Sequence, residues 1–248
     1  STTNTILSGL GDDTIIATDG SDTIDGGGHT AGTGGGDWLS FQALSASVDA
    51  AMQNGTITGG LGTTNITDIE NLLGSNFADT LTGDANNNSL DGNAGDDTID
   101  GGAGSDHLLG NTGNDTLIGG DGIDTYDGGD DTDAISFYDV EAAVNVNLST
   151  STVTDDGYGN TEAGTISNVE NIIGTLNYGD SLTGDNSNNV IYGHGGNDTI
   201  DGGLGIDTLY GDAGNDTFIS SVGDGNDTIY GGDDSDTIDY SVESDKII

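Results

Sequence analysis

Aspartates recur at nine-residue intervals through much of this sequence, each placed between a glycine-rich stretch and a short aliphatic segment. In GGAGSDHLL, residues 101–109, the acid is Asp106, and GNTGNDTLI repeats the phrase with Asp115 nine residues later. Carboxylate and peptide carbonyl oxygens are hard ligands that suit Ca²⁺, whereas Zn²⁺ and Cu²⁺ favour thiols and clustered imidazoles, which the sequence lacks. Magnesium is disfavoured because it requires small octahedral cages and retains its waters. The spacing therefore predicts calcium sites.

The charge of the chain is almost wholly acidic, with 44 Asp and Glu residues against a single basic residue and a net charge of -43. A compact chain of this kind repels itself unless cations neutralise it, and nucleic acid and anionic membranes are poor partners for it. No apolar run approaches the roughly 18 residues that span a bilayer, so we expect no membrane insertion. Low hydrophobicity with high net charge is also typical of disorder, and the order of the residues decides against it.

The nine-residue phrase is G-G-x-G-x-D-x-U-x, where U is aliphatic, and it occurs in three blocks. The blocks span residues 1–40, 74–136 and 174–248, and two spacers, residues 41–73 and 137–173, separate them. DWLSF pairs with DAISF and IENLLG pairs with VENIIG, so a unit of about 100 residues is duplicated. We expect the spacers to be irregular coils that continue one solenoid and bury a common set of apolar side chains: Leu39, Phe41, Val48, Ile69 and Leu72.

Each nonapeptide divides into a six-residue glycine turn and a three-residue strand, because glycine tolerates the positive φ and the close backbone approach of a tight bend. In so short a strand the middle residue faces the core and its neighbours face solvent. The predicted core residues are Ile99, Leu108, Leu117, Ile200, Leu209 and Ile229, and the predicted outward residues include Thr98, Thr116 and Thr199. The predicted fold class is all-β.

Two nonapeptides make one coil, so residues that are 18 apart stack on the same edge. Asp79, Asp97, Asp115 and Asp133 fall into one column, and Asp106 and Asp124 fall into the other. Stacked ionised carboxylates repel by roughly a few kcal/mol per pair at an effective dielectric of about 20. The columns therefore require cations between successive coils, and without metal we expect a disordered chain.

The repeats resemble those of the RTX, or haemolysin-type, calcium-binding proteins, whose consensus is matched most closely by residues 101–109, 119–127 and 202–210. The resemblance implies a right-handed parallel β-roll, or β-helix solenoid. It also implies secretion by a bacterial type I system, a location outside the cell or on its surface, and folding that waits for extracellular calcium. About six to ten ions are expected. Because SVESDKII, residues 241–248, lacks a convincing terminal cap, we expect the chain to be part of a longer protein.

Position by position, the resemblance implies two sets of calcium ligands. The acids at the sixth position are Asp13, Asp22, Asp79, Asp97, Asp106, Asp115, Asp124, Asp133, Asp180, Asp198, Asp207, Asp216, Asp227 and Asp236. The turn glycines, acting through their carbonyl oxygens, are Gly92, Gly101, Gly104, Gly110, Gly113, Gly119, Gly122, Gly202, Gly205, Gly211 and Gly214. Asn88 and Asn189 replace the acid and predict weaker sites. Asp131 and Asp234 stand where a glycine belongs, and ATDGSD lacks the first glycines, which leaves calcium binding there open.

The sequence does not indicate catalysis, because His29, His107 and His194 lie far apart and form no constellation with a nucleophile. Each histidine is expected to be an exposed turn or strand residue. Paired acids such as Asp96 and Asp97 fit a ligand column with a solvated neighbour better than a glycosidase. We expect a non-enzymatic module that folds in calcium and serves as a scaffold or spacer.

Two related functions stay open at this point. Tyr192, Tyr210 and Tyr230 end three of the strands, and an aromatic row or a flat threonine array could bind a polysaccharide or ice. Short strands also favour Thr and Tyr for structural reasons alone. The other function is that of a rigid spacer in an adhesin or a surface layer, which the duplicated unit favours.

Overall fold

The computed structural model describes residues 3–18, 20–28, 35–59, 64–163, 165–220, 223 and 225–240. The chain divides into two compact units, which we call the first unit, Ser1–Asp133, and the second unit, Ala134–Ile248. Both are all-β, as the sequence predicts. Over the described ranges, helix is limited to the 3-10 turn Met52–Asn54, and no helix there is long and apolar enough to cross a bilayer.

The first unit consists of two stacked sheets of short, mostly parallel strands. The strands are β1 (Thr5–Leu7), β2 (Thr14–Ile16), β3 (Thr23–Asp25), β4 (Trp38–Ser40), β5 (Val48–Ala51), β6 (Thr56–Gly59), β7 (Thr64–Thr67), β8 (Asn71–Leu73), β9 (Thr80–Thr82), β10 (Ser89–Asp91), β11 (Thr98–Ala103), β12 (His107–Thr112), β13 (Thr116–Asp121) and β14 (Thr125–Asp130). One sheet has the order β1-β3-β7-β6-β5-β9-β11-β13 and the other has the order β2-β4-β8-β10-β12-β14. Thr98 pairs with Thr116, and Leu90 pairs with Leu108, so one coil contains two nonapeptides as predicted.

The core of the first unit is formed by the second residue of each repeat strand, which is the middle residue where the strand has the predicted length of three. The strands β11, β12, β13 and β14 are longer than predicted, with 6 residues each. Leu72, Leu81, Leu90, Ile99, Leu108 and Leu117 are all fully buried. Tyr126 takes the same place in β14 and is only 2% exposed. Thr98 and Thr116 are paired in register and each precedes a buried residue, as predicted for outward-facing threonines, although Thr98 is exposed and Thr116 is half-buried.

The second unit repeats the same plan. Its strands are β15 (Ala134–Ser136), β16 (Asn145–Asn147), β17 (Thr152–Asp155), β18 (Glu162–Ala163), β19 (Ile166–Ser167), β20 (Asn171–Ile173), β21 (Ser181–Thr183), β22 (Val190–Tyr192), β23 (Thr199–Asp201), β24 (Thr208–Ala213), β25 (Thr217–Ile219), β26 (Thr228–Asp233) and β27 (Thr237–Asp239). One sheet has the order β15-β20-β22-β24-β26 and the other has the order β18-β17-β16-β21-β23-β25-β27.

The core of the second unit is a similar single file of buried residues. Ile172, Leu182, Ile191, Ile200, Leu209 and Phe218 are at most 1% exposed. Ile229, predicted to face inward, is half-buried, and Ile238 is 43% exposed. These two residues lie on β26 and β27, which end the two sheets of the second unit and therefore have a described strand on one side only.

The spacers bury the five residues predicted from the sequence, with Leu39, Phe41 and Leu72 fully buried and Val48 and Ile69 nearly so. They also contain antiparallel strands that the sequence did not predict. In the first spacer β5 pairs with β6 and β6 with β7, and in the second β16 pairs with β17 and β17 with β18. Gly55 and Ser151 have positive φ angles of 59° and 54° between the paired strands, which allows the chain to reverse.

In most consensus nonapeptides the turn places the second and fourth residues in the left-handed region. Asn93 and Gly95 have φ angles of 72° and 124°. Where the second residue is not glycine it is Asn, Asp or His, as at Asn93, Asp212 and His194, and Asn and Asp tolerate this conformation best. Asp131 adopts a φ of 84°, so an aspartate at the fourth position still completes the turn.

Candidate metal centres

The sixth-position acids form a ladder in which each carboxylate is tied to the coil before it. The Asp97 column contains Asp79, Asp97, Asp115 and Asp133, and each backbone N–H donates to Oδ1 of the next acid at 2.7, 2.7 and 2.8 Å in turn. The hydrogen bonds join residues that are 18 apart, which confirms the predicted column. One oxygen of each acid is thereby fixed in position.

Three further columns follow the same rule. In the Asp106 column the N–H groups of Asn88 and Asp106 donate to the Oδ1 atoms of Asp106 and Asp124 at 2.8 Å each. In the second unit, the Asp198 column contains Asp180, Asp198, Asp216 and Asp236, and the Asp207 column contains Asn189, Asp207 and Asp227. The two-column arrangement of the first unit therefore recurs in the second.

The other carboxylate oxygen, Oδ2, is buried without a hydrogen-bond partner in several of these acids. In the described chain this holds for Asp97, Asp106, Asp115, Asp198 and Asp216, whose residues are at most 2% exposed. Removing a polar atom from water without a partner is unfavourable, and such atoms in native proteins call for an explanation such as a bound ion. These oxygens therefore mark where a cation would compensate the cost of burial.

The first-position glycines make room for these oxygens. A Cβ on Gly101 would collide with Oδ2 of Asp106 and would lie 2.7 Å from the carbonyl oxygen of Gly119, one coil later. A Cβ on Gly92 would likewise collide with Oδ2 of Asp97. Gly110, Gly119, Gly193, Gly202, Gly211 and Gly231 show the same contact with the acid of their own repeat. At Gly92, Gly101, Gly110 and Gly211 a carbonyl oxygen of the next coil lies close to the same position, so an acid oxygen and a peptide carbonyl oxygen converge on these glycines.

The fourth-position glycines stack on the preceding coil. A Cβ on Gly104 would lie 2.6 Å from the carbonyl oxygen of Asn86, which is the fourth-position residue one coil earlier. Gly113, Gly122, Gly205 and Gly214 would meet the carbonyl oxygens of Gly95, Gly104, Ser187 and Gly196 in the same way. Only glycine permits this close approach of successive coils.

The buried acids carry raised pKa values. Burial raises the pKa of Asp97 to about 8, and the carboxylates of Asp115, Asp79 and Asp96 add to the increase, although the hydrogen bond from the Asp79 N–H opposes it. Burial also raises the pKa of Asp106 to about 7, and that of Asp198 to about 7. A cation beside such a carboxylate favours its charged form and would lower these pKa values again.

The donor set fits calcium. It combines a buried carboxylate oxygen with peptide carbonyl oxygens, all hard ligands, and calcium accepts six to eight of them in flexible geometry. Among the residues described, no three His, Cys, Asp or Glu side chains come together as a metal cluster. Backbone carbonyl oxygens would therefore have to complete each coordination sphere, as the glycine contacts suggest.

Two predicted ligands next to the spacers differ from the others, because protein donors satisfy both of their oxygens. Asp79 accepts hydrogen bonds from the N–H and the hydroxyl of Ser75 and from the N–H of Val48. Asp180 accepts the corresponding bonds from Thr175 and Val144. These two acids have the least need of a cation, which the sequence could not distinguish.

Asn88 and Asn189 are satisfied in a related way. The side-chain N–H groups of Asn88 and Asn189 donate to the carbonyl oxygens of Glu70 and Glu170, at 2.9 and 2.6 Å. The Glu70 carbonyl is available because the N–H of Ser89 donates to the Asn71 side chain instead. The sixth-position side chains of these two turns are neutral and closed by protein contacts, so weaker binding there stays the prediction.

The predicted ligands at the ends of the columns are less buried or lack an acid in the next coil. Asp227 is half-buried and Asp236 is exposed, both beside the last described strands. Asp22 is buried, but its Oδ1 accepts bonds from Asn4, and its own N–H faces the Thr64 hydroxyl rather than another acid. The column of carboxylates is therefore interrupted at Asp22.

Two acids of the Asp106 column were missed by the sequence prediction. The N–H of Asp13 donates to Oδ1 of Asp37, and the N–H of Asp37 donates to Oε2 of Glu70, at 2.7 Å each. Asp37 and Glu70 directly precede β4 and β8, as Asp106 precedes β12. The available signal was the similarity between DWLSF, which begins at Asp37, and DAISF, which begins at the predicted ligand Asp133.

A second ladder, at the fifth position of the repeat, was also not predicted. Oδ1 of Asp96 accepts the N–H of Asn114 at 2.9 Å, and Oδ1 of Asn197 accepts the N–H of Asn215 at 2.8 Å. Asp96 is exposed while Asp97 is buried, which agrees with a solvated neighbour beside a column acid. This ladder joins successive coils through neutral or exposed groups, so it needs no metal.

The aromatic residues at the strand ends stack in one row. The ring centroids of Tyr192 and Tyr210 are 4.7 Å apart and those of Tyr210 and Tyr230 are 4.8 Å apart, with the rings nearly parallel. The ring of His194 stacks on Tyr192 at the end of this row, with the two ring centroids 5.8 Å apart. His107 is exposed on β12 and His194 is half-buried in a turn, whereas His29 lies outside the described residues.

Fold and site together define a class: parallel β-rolls of nonapeptide coils, with columns of buried carboxylates facing backbone carbonyls. The chain matches the RTX calcium-binding nonapeptide repeat at residues 1–29, 73–108, 100–135, 175–209, 202–224 and 210–247, which is more than half of its length. It therefore belongs to the RTX calcium-binding nonapeptide repeat family, and it is a calcium-binding structural module of a bacterial protein. A search of curated proteins found no match.

Proposed function

We propose that the chain is a secreted module whose folding is triggered by calcium and whose folded form serves as a rigid scaffold or spacer. The observation that carries the proposal is the set of buried Oδ2 atoms without a hydrogen-bond partner, as at Asp97, Asp106 and Asp198. Each faces the first-position glycine of its own repeat, and at Asp97 and Asp106 a carbonyl oxygen of the next coil points to the same place. Calcium bound there joins successive coils.

Without metal, the folded state is opposed by its own charge. The net charge is -43, and burial of the column acids disfavours their ionised form. The hydrophobic core offers one buried side chain per strand, each contributing about 1.5–3 kcal/mol against roughly 1–2 kcal/mol of backbone entropy for every ordered residue. A nine-residue repeat with one core residue cannot offset that entropy, so we infer a disordered metal-free chain.

With calcium, binding free energy becomes folding free energy. Extracellular modules bind calcium at roughly 10⁻⁴ to 10⁻³ M, and a tenfold excess of ion stabilises the folded state by about 1.4 kcal/mol per site. About six to ten sites would together contribute on the order of 10 kcal/mol. That is comparable with the whole stability of an ordinary domain.

The same linkage suits export. A chain that stays unfolded where calcium is scarce can be threaded through a type I secretion system, and it folds where calcium is plentiful outside the cell. We propose that the module is non-catalytic, since the column acids act as ligands and the described histidines lie in a strand and a turn without a nucleophile partner.

The test is a calcium titration followed by circular dichroism, starting from the chain in excess chelator. We expect a disordered spectrum in chelator and a cooperative change to a β spectrum as calcium rises. Magnesium at the same concentration is the control, because it screens charge equally without suiting the sites. A β spectrum already present in chelator, or an equal response to magnesium, would contradict the proposal.

Surface binding to a polysaccharide or ice is the alternative, and it rests on the row of Tyr192, Tyr210 and Tyr230. Sugar rings pack against the faces of aromatic rings, but in this row the faces of neighbouring tyrosines cover one another at 4.7–4.8 Å. Only ring edges and the outer face of Tyr230, which is 52% exposed, point to solvent. The row is better suited to holding coils together, so we propose the scaffold role.

A further inference from the structure

Asp37, which lies just before the first spacer and outside the consensus nonapeptides, has the same environment as their sixth-position acids. The residue is fully buried, its Oδ1 accepts the N–H of the preceding column member, Asp13, and its Oδ2 has no hydrogen-bond partner. Oδ2 of Asp13 also lacks one. The family match ends at residue 29 and resumes at residue 73, so the nonapeptide pattern does not assign Asp37 a role.

A carbonyl oxygen meets this carboxylate as in the consensus turns. Gly26 follows β3, which pairs with β7 so that Asp25 is opposite Thr67, and Asp68 therefore follows one coil later. A Cβ on Gly26 would collide with the carbonyl oxygen of Asp68 and would lie 2.7 Å from Oδ2 of Asp37. At Gly101, Oδ2 of the repeat's own acid and the carbonyl of the next coil converge in the same manner.

We propose that Asp37 and the carbonyl oxygen of Asp68 hold a calcium ion at the edge of the first spacer, outside the nonapeptide consensus. This inference rests on the proposed function, because it assigns to Asp37 the ligand role proposed for the sixth-position acids. The donors are again hard oxygens, and Glu70, whose carboxylate accepts the Asp37 N–H, adds negative charge nearby. A cleft of about 580 Å³ is lined in part by Asp68 and Glu70.

Terbium luminescence can test this site separately from the others. Terbium(III) replaces calcium at oxygen sites and emits when a nearby aromatic ring transfers energy to it. Trp38 is the only tryptophan of the chain and directly follows Asp37. Excitation at the red edge, where tryptophan alone absorbs, therefore reports an ion beside Trp38, at Asp37 or at its column neighbour Asp13, and the Asp37→Asn variant separates the two. Excitation of tyrosine reports ions in the repeat blocks, such as the turn beside Tyr126.

We expect the wild-type chain to show tryptophan-sensitised terbium emission that added calcium displaces. Asp37→Asn should lose this emission while keeping tyrosine-sensitised emission and its β spectrum in calcium. Asp49→Asn is the matched control, because it makes the same change at an exposed residue of the nearby first spacer and should leave both emissions intact.

Retention of the tryptophan-sensitised emission by Asp37→Asn would overturn the inference. So would a wild-type chain with tyrosine-sensitised emission alone, and this measurement decides the matter if Asp37→Asn does not fold. Absence of both emissions in the wild type would instead contradict the proposed calcium binding as a whole.

Discussion

Replacing Asp97 with asparagine removes one buried acid while almost preserving its shape. The Oδ1 atom can still accept the N–H of Asp79, but the new side-chain N–H replaces an oxygen that has no hydrogen-bond partner in the protein. Asn88 can bury such an N–H because the Glu70 carbonyl is available to it. The corresponding carbonyl, that of Asp79, already accepts the N–H of Thr98, so the amide of Asp97→Asn would be left unpaired.

The magnitude follows from two losses. A buried donor without a partner costs about 1–3 kcal/mol. Loss of one ion at tenfold excess removes about 1.4 kcal/mol of stabilisation. Together they predict that Asp97→Asn lowers the free energy of unfolding in calcium by about 2–4 kcal/mol.

Urea unfolding in saturating calcium, with the bound calcium counted in parallel, is the assay. Asp96→Asn is the matched control, because Asp96 is exposed and asparagine keeps the Oδ1 that accepts the Asn114 N–H. The control should change stability by less than about 0.5 kcal/mol. An unchanged ion count in Asp97→Asn, or an equal loss of stability in Asp96→Asn, would refute the reasoning.

Three further outcomes are expected. Gly101→Ala should abolish folding in calcium or lower the free energy of unfolding by at least about 2 kcal/mol, because the new Cβ collides with Oδ2 of Asp106. Gly28→Ala is the control: its Cβ meets only a flexible leucine side chain, so this variant should fold normally by circular dichroism. The double variant Tyr192→Ala, Tyr210→Ala should keep its calcium titration and show no change in retention on glycan columns, and a loss of retention would favour the surface-binding alternative. In chelator, the pKa values of the buried acids are higher in the folded state than in the unfolded state, so the folded state binds more protons. The folded state should therefore gain stability as the pH falls from about 8 towards 4. A chain that is less folded at pH 4 than at pH 8 would disprove this prediction.

The repeated part of the fold was predictable because its information is local and periodic. A turn of fixed length followed by a three-residue strand fixes which residue is buried, as at Ile99 and Leu117, and which acids stack 18 residues apart, as at Asp97 and Asp115. The glycine at each first position follows from the space that the acid requires. These features need no knowledge of distant parts of the chain.

The spacers and the spacer-side ends of the columns were not predictable in the same way. Asp37 is 24 residues from the preceding member of its column and 33 from the next, so the period of the repeat hides it. Asp79 and Asp180 look like every other sixth-position acid in sequence. Their oxygens are satisfied by Ser75 and Thr175 only because the spacer places hydroxyl and N–H donors beside them. Which carboxylates need an ion is therefore a property of the folded coil.

Native mass spectrometry of the chain in calcium and in excess chelator tests most directly whether ions hold the buried carboxylate columns together. The account predicts a compact species carrying about six to ten calcium ions in the first condition and only highly charged, extended, metal-free species in the second. A compact species without calcium, stable in chelator at neutral pH, would contradict it.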